Sequence, residues 1–505
     1  MSHVLLLCAL LAVAPTGSAL AQDNPIDAVD GVGCGAGMPS TAGADVLRAA
    51  PGPDATAIDG PETAPITSRA AAITVIPPTA ATAGISSGAR GFRTTAGKRP
   101  AWLTPFLGSL VFSAVDDSRG REPWIATPIT ARRLKDVAPG ARGSSPRDFT
   151  VYDGALYFSA DDGTHGRELW KTDGTNAGTV MVRDIRRGSA GSNPGSLYVF
   201  KDRLYFVADD GVHGGELWRT NGTTSGTRLF KDISPTGGSM FPAYQGQPTG
   251  WAVMGGRLYF PAFRRVAELW STDGTSAGTR GFVTRLYTDS NMIAAGGRLY
   301  FTGGPATGGC VAEGPYLYTS DGTRTGTIRI RAAAYPWGGM VPWRGRAWLG
   351  NHVVRGDEGV SERPRLWRSA GTERSTVQVR PAVALDAWQP MVVVGRRIFA
   401  AIGGGLAISG RTNGEMTVLG DTRDGWRATV DVVSVGDRWY FPAGEGAARE
   451  LWQTGGTPRT TRLALDVNPR GNGAVQSVTA ADGVIWFVGN DGIRGGQVWR
   501  YVPTR

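Results

Sequence analysis

Lysine is nearly missing from this chain. Five lysines stand against 48 arginines in 505 residues, and the formal net charge is +10. That ratio, with abundant Ala, Gly and Pro, suits a GC-rich coding sequence; the other reading is attraction to acidic polymers or anionic surfaces. The arginines are scattered along the chain without a nucleic-acid motif, so no nucleic-acid partner is expected. No segment reaches 18 uninterrupted apolar residues, which leaves no membrane span to expect. HExxH, Walker and CxxC signatures are absent, and no GxSxG nucleophile elbow is expected, since GTSAG (274–278) falls in a repeat turn and GISSG (84–88) in the stretch before the repeats. Beyond residue 21 there are three histidines, His165, His213 and His352, too far apart to suggest a metal centre. Every carboxylate pair is a repeated feature, so no glycosidase-type pair stands out. No catalytic residue, metal or cofactor is therefore nominated.

Residues 4–14, VLLLCALLAVA, form a short apolar run followed by Ala19-Leu20-Ala21. This pattern predicts a secretory signal peptide over 1–21, although its start carries no Lys or Arg, and hence a secreted or surface location. Two cysteines follow it, Cys34 and Cys310. In an oxidising compartment they are open either to a bridge or to two unpaired thiols. Residues 22–98 are rich in Ala, Pro, Thr and Gly without periodicity. Such a stretch buries too little apolar surface to offset its chain entropy, so a linker or disordered arm is expected there.

From residue 99 to 505 the chain repeats. GALYFSADDGTHGRELWKTDGTNAGT (154–179) returns as DRLYFVADDGVHGGELWRTNGTTSGT (202–227), offset by 48 residues. Nine units are visible, each with an aromatic strand, a Gly-rich turn and a second strand ending in an aromatic residue. The latter are Trp124, Trp170, Trp218, Trp270, Tyr318, Trp367, Trp452 and Trp499; the seventh unit offers only Leu406-Ala407-Ile408. The segments are short, β-branched or aromatic, and cut by Gly, which excludes helical repeats. Four short strands per unit at this period predict an all-β fold, a β-propeller of eight or nine four-stranded blades. A parallel β-helix is the alternative. The last unit holds about three strands, so the stretch before Trp102 is expected to supply the fourth and close the ring. Asp153-Gly154, Gly296-Gly297 and Asp482-Gly483 suit tight hairpins. The repeated Trp residues are expected between blades, each contributing a gross ~4–6 kcal/mol as an upper bound.

The strings ELWKTDGTNAGT (168–179), ELWRTNGTTSGT (216–227) and ELWSTDGTSAGT (268–279), with weaker copies at 317–327 and 450–460, resemble the ELWxxDGT repeat proteins. The resemblance covers roughly residues 100–505. It implies an exported, propeller-like bacterial array and no particular reaction. Its repeat positions here are Glu168, Glu216, Glu268 and Glu450 with their Trp residues, and Asp173, Asp273 and Asp321. In DGTxxGT the Asp is expected to accept turn N–H groups, a structural task.

The loops between second and third strands hold the candidate binding residues: Asp116 and Asp117 with Arg119; Asp161, Asp162 and His165; Asp209, Asp210 and His213; Asn490 and Asp491 with Arg494. One reading is turn capping; the other is a site for carbohydrate, cation or protein on one propeller face. The function expected is a secreted, non-catalytic binding or structural module at the cell surface or matrix, its partner a polysaccharide or another surface protein. The rival is a polysaccharide-active hydrolase or lyase working from the irregular loops of units five to seven.

Overall fold

Nine antiparallel sheets follow one another along the chain, eight of them built in sequence order from first strand to fourth. This computed structural model describes residues 88–91 and 98–503, apart from 117, 236–249, 265, 308–309, 312–315, 335–338, 352–364, 380–384, 386–390, 403–404, 411–414, 421–425, 446–447 and 494. Blade 1 consists of Lys98–Phe106, Ser109–Asp116, Gly120–Ala126 and Ala131–Arg133. Blade 2 consists of Arg147–Tyr152, Ala155–Asp161, Arg167–Thr172 and Val180–Arg183. Blades 3 to 8 span 195–231, 252–284, 286–334, 340–378, 392–418 and 426–465. Blade 9 takes three strands from 476–502 and its fourth from Gly88–Gly91.

That fourth strand closes the ring. Gly88–Gly91 pairs antiparallel with the third strand of blade 9, Gly88 opposite Val502 and Gly91 opposite Trp499. It lies inside 22–98, the stretch expected to be a linker or disordered arm; residues 22–87 and 92–97 are outside the described residues. First strands of neighbouring blades meet around the axis, and fourth strands lie outermost.

Each blade presents two apolar faces because side chains alternate along a strand, and each face packs against a neighbour. Nine hydrophobic clusters result, one per junction, including the one joining blade 9 to blade 1. At the blade 1–2 junction Val111 and Ile125 meet Phe149, Phe158 and Trp170. Every repeated Trp, and Tyr318, contacts the cluster shared with the preceding blade. A ring of blade-to-blade hairpins rules out the β-helix. The seventh unit is a complete blade: Ile408 stands opposite Phe399 as Trp170 stands opposite Phe158.

The hairpin turns follow from their residues. Asp153 and Gly154 have φ of 48° and 73°, a conformation suited to the right-handed twist of the flanking strands. In the DGTxxGT turn, Asp173 Oδ1 accepts Thr175 N–H at 2.8 Å and its hydroxyl at 2.7 Å. Asp273 and Asp321 do the same with Thr275 and Thr323. The turn also clips the ring: Asn176 Nδ2 donates to Leu134 O of the preceding blade at 3.1 Å.

Candidate functional site

The loops joining second to third strands share one face of the ring with the blade-to-blade connections. The first requirement on this face is to hold those long connections down, and the Glu of the repeat does so. Glu168 is 0% exposed at the start of its strand. Its carboxylate accepts the N–H groups of Ile185 (3.2 Å), Arg186 (3.1 Å) and Ser192 (2.9 Å) and the Ser192 hydroxyl (2.5 Å). Glu122 takes Val137, Ala138 and Ser144 in the same way, Glu216 takes Ile233 and Ser234, and Glu450 takes Val467 and Gly473. Burial pushes the carboxyls of Glu122, Glu168 and Glu450 above the usual range, and these hydrogen bonds pull only part of it back. In blade 4 a single residue, Arg285, leads to the next blade, and Glu268 bonds Trp270 Nε1 at 2.8 Å instead. Sequence reasoning placed the Glu in the repeat but missed this task. A signal was present: Asp136-Val137, Asp184-Ile185, Asp232-Ile233 and Asp466-Val467 recur at a near-constant offset behind it.

The connection runs so close to the loop that glycine is required. A Cβ at Gly166 (φ 68°) would lie 2.5 Å from Gly191 N, and one at Gly191 would lie 2.2 Å from Arg167 N. The HG of the loop is therefore a docking point for the backbone.

The described Asp and Asn candidates cap their own loops. Asp161 Oδ1 accepts Gly163 N–H at 2.8 Å, and its Oδ2 meets Arg142 at 3.3 Å. Asp162 accepts the N–H groups of Thr164 (2.8 Å) and His165 (2.7 Å) and contacts His165 Nδ1 at 2.7 Å. Blade 3 repeats this: Asp209 with Gly211 and Arg186, Asp210 with Val212 and His213, again 2.7 Å to Nδ1. In blade 1, Asp116 accepts Ser118 N–H at 2.9 Å and pairs with Arg133 at 3.0 Å, while Arg119 pairs with Asp136. In blade 9, Asn490 caps Gly492 and Asp491 caps Ile493. Asp117, Arg494, His352 and Cys34 lie outside the described residues, as does the side chain of Cys310. So do most of the irregular loops of units five to seven.

Ring closure decides how these loops relate. Blades 9, 1, 2 and 3 are consecutive, so the four loops form one unbroken arc of the face. The same four blades carry inner-strand bulges whose residues have left-handed φ: Ser477 (53°), Trp102 (59°), Asp148 (62°) and Ser196 (55°). Asp148 is buried, and burial pushes its carboxyl up to about 6 against the pull of Arg147 and Arg167. Nothing in its strand, RDFTVY, marked it out, because ordinary alternation conceals a bulge.

On the arc, His165 and His213 are each 38% exposed at the side chain. The hydrogen-bonded carboxylates of Asp162 and Asp210 raise their pKa above the ordinary 6.5. Partial burial pushes both Asp groups up, but the donated hydrogen bonds outweigh it and leave them below 3.8. Each pair is therefore Asp⁻/His⁺ between those limits. The histidine contribution to loop stability is fully present below pH 6.5 and fades as pH rises through the raised value; the aspartate contribution is lost as pH falls through the lowered one. An NMR titration should give both imidazoles midpoints above 6.5, and Asp162→Asn should lower that of His165 alone. Midpoints at or below 6.5 in the unaltered protein would refute the pairing.

Among the described residues no three His, Cys, Asp or Glu gather as a metal shell, and no helix is long and apolar enough to cross a membrane.

No protein-family model and no curated protein matches the sequence. Among solved structures the chain is similar to a puromycin hydrolase at 13% identity, with a TM-score of 0.35, over 69% of this chain and 58% of that one. It thus spans little more than half the length of that enzyme. It is also similar to a Mycobacterium tuberculosis puromycin-hydrolysing peptidase (11% identity, TM-score 0.40, 78% of this chain, 59% of that one). An oligogalacturonate lyase, in complex with manganese, matches at 12% identity and a TM-score of 0.35 over 83% of this chain and 96% of that one. At these values the likeness assigns no activity to this chain.

Proposed function

We propose that this protein is an exported, non-catalytic β-propeller of the ELWxxDGT repeat type, a binding module of the cell surface or matrix. One observation carries the reading. The acids of the candidate loops are consumed in capping turns and holding His or Arg, while four such loops stand side by side on one face of a rigid ring. A carboxylate held by two or three donors is a poor general base. The same arrangement fixes two half-exposed imidazoles, and rigid presentation of polar groups favours recognition. The ligand class is a polysaccharide or another surface protein.

Retention of purified Gln22–Arg505 on immobilised polysaccharides and cell-envelope fractions tests this. Retention without released fragments is expected, and the pair His165→Ala and His213→Ala should weaken it by about tenfold, on the scale of two lost hydrogen bonds. Release of cleavage products would overturn the reading in favour of a polysaccharide-active enzyme.

A further inference from the structure

The opposite face carries the hairpins between first and second strands and the DGTxxGT turns. Its charge is not uniform. In six consecutive blades the second strand opens with arginine: Arg203, Arg257, Arg298, Arg346, Arg397 and Arg438. Blades 9, 1 and 2 have Val484, Ser109 and Ala155 there. Some of these arginines clip their own blade, Arg257 to Gly278 O at 2.6 Å and Arg298 to Gly326 O at 3.1 Å. From blade 6 to blade 8 the balance changes. The turn aspartate of blades 2, 4 and 5 is replaced by Ala370 in blade 6 and Gly455 in blade 8. At the same end Arg344, Arg346, Arg374, Arg396, Arg459 and Arg462 are exposed, against Glu373, Glu415 and Asp437 among the described residues.

The hairpins that carry these arginines meet from blade to blade. Trp343 Nε1 of blade 6 donates to Arg396 O of blade 7 at 3.1 Å. The Arg397 guanidinium of blade 7 lies 5.9 Å from the ring centre of Trp439 in blade 8. Scattered in sequence, these cations are gathered by the ring.

We propose that the hairpin face of blades 6–8 binds an acidic polysaccharide through this arc of arginines. The cations are spread over rigid hairpins of three blades, so they match charge repeated along a polymer better than one small anion. Guanidinium groups suit carboxylates by forked hydrogen bonding. Base stacking on single strands needs exposed aromatic platforms, and Trp343 is buried. Membrane docking needs apolar tips beside the cations. The turn-tip hydrophobics of this face, Leu107 (73% exposed) and Ile129 (84%), sit on blade 1, beyond blade 9 from the arc, and the part-exposed Val377, Val418 and Leu463 of blades 6–8 lie along outer strands rather than at the tips.

The test compares the protein with two quadruple variants, Arg344→Gln, Arg346→Gln, Arg374→Gln and Arg396→Gln in the arc, and Arg132→Gln, Arg187→Gln, Arg449→Gln and Arg470→Gln elsewhere. Equal melting temperatures establish that both fold. The probe is polygalacturonate, with dextran, double-stranded DNA and phosphatidylglycerol vesicles as comparisons. The arc variant should bind polygalacturonate about tenfold or more weakly at low salt, while the control variant stays within about threefold. The arc variant leaves the loops of blades 9, 1, 2 and 3 untouched, so its loss of polygalacturonate binding cannot arise on the other face. Equal loss in both quadruple variants would reduce the effect to net charge and overturn the proposal. So would arc-dependent binding to DNA or vesicles that exceeds binding to polygalacturonate.

Discussion

Glu168→Ala should lower the unfolding free energy by about 3–5 kcal/mol, although the residue touches no ligand in any reading of this protein. The carboxylate is fully buried and accepts three backbone N–H groups and one hydroxyl. Removing it strands those donors in a dry site and releases the connection between blades 2 and 3. Glu168→Gln keeps one acceptor oxygen but turns an amide N–H₂ toward the donors, so an intermediate loss is expected. Asp173→Ala, an exposed turn residue with two local bonds, should lose about 1 kcal/mol. Chemical denaturation followed by tryptophan fluorescence measures all three. A Glu168→Ala loss no greater than that of Asp173→Ala would show that the buried carboxylate does not anchor the connection.

The second large effect concerns closure. A chain beginning at residue 98 lacks Gly88–Gly91 and leaves Trp499–Val502 as a bare edge on blade 9. Unpaired edges recruit other strands. Losing four residues of pairing should remove about 2–4 kcal/mol, lower the melting midpoint by ~2–5 °C and shift the protein toward oligomers. A chain beginning at residue 86 retains the strand and should match the full-length protein. Scattering and calorimetry on the two truncations decide the matter; identical behaviour would mean that the closing strand contributes nothing.

Much of the blade was legible because its signals are local. Asp153-Gly154 demands a tight hairpin, LYFSA alternates, and DGTNAGT builds a turn from its own side chains. The seventh unit was harder, because Ile408 fills the Trp position with a side chain that breaks the pattern while preserving the packing. Glu168 was visible as a repeated residue, but its partners lie 17 to 24 residues downstream, and no local pattern announces a long-range carboxylate anchor. The loops holding His165 and His213 were found as candidates, whereas the buried Asp148 was not.

By itself the sequence determined the all-β class, the blade-sized repeat, the turn chemistry and the donation of a closing strand, because each depends on residues close together or on simple counting. The tertiary structure alone decided that there are nine blades and that the loops of blades 9, 1, 2 and 3 share one arc. It also decided that the hairpins carrying arginines dispersed between 344 and 462 share one face of three adjoining blades. The reason is closure. Adjacency in a ring depends on which blade meets the first, and the packing of blade 9, completed by Gly88–Gly91, against blade 1 settles that.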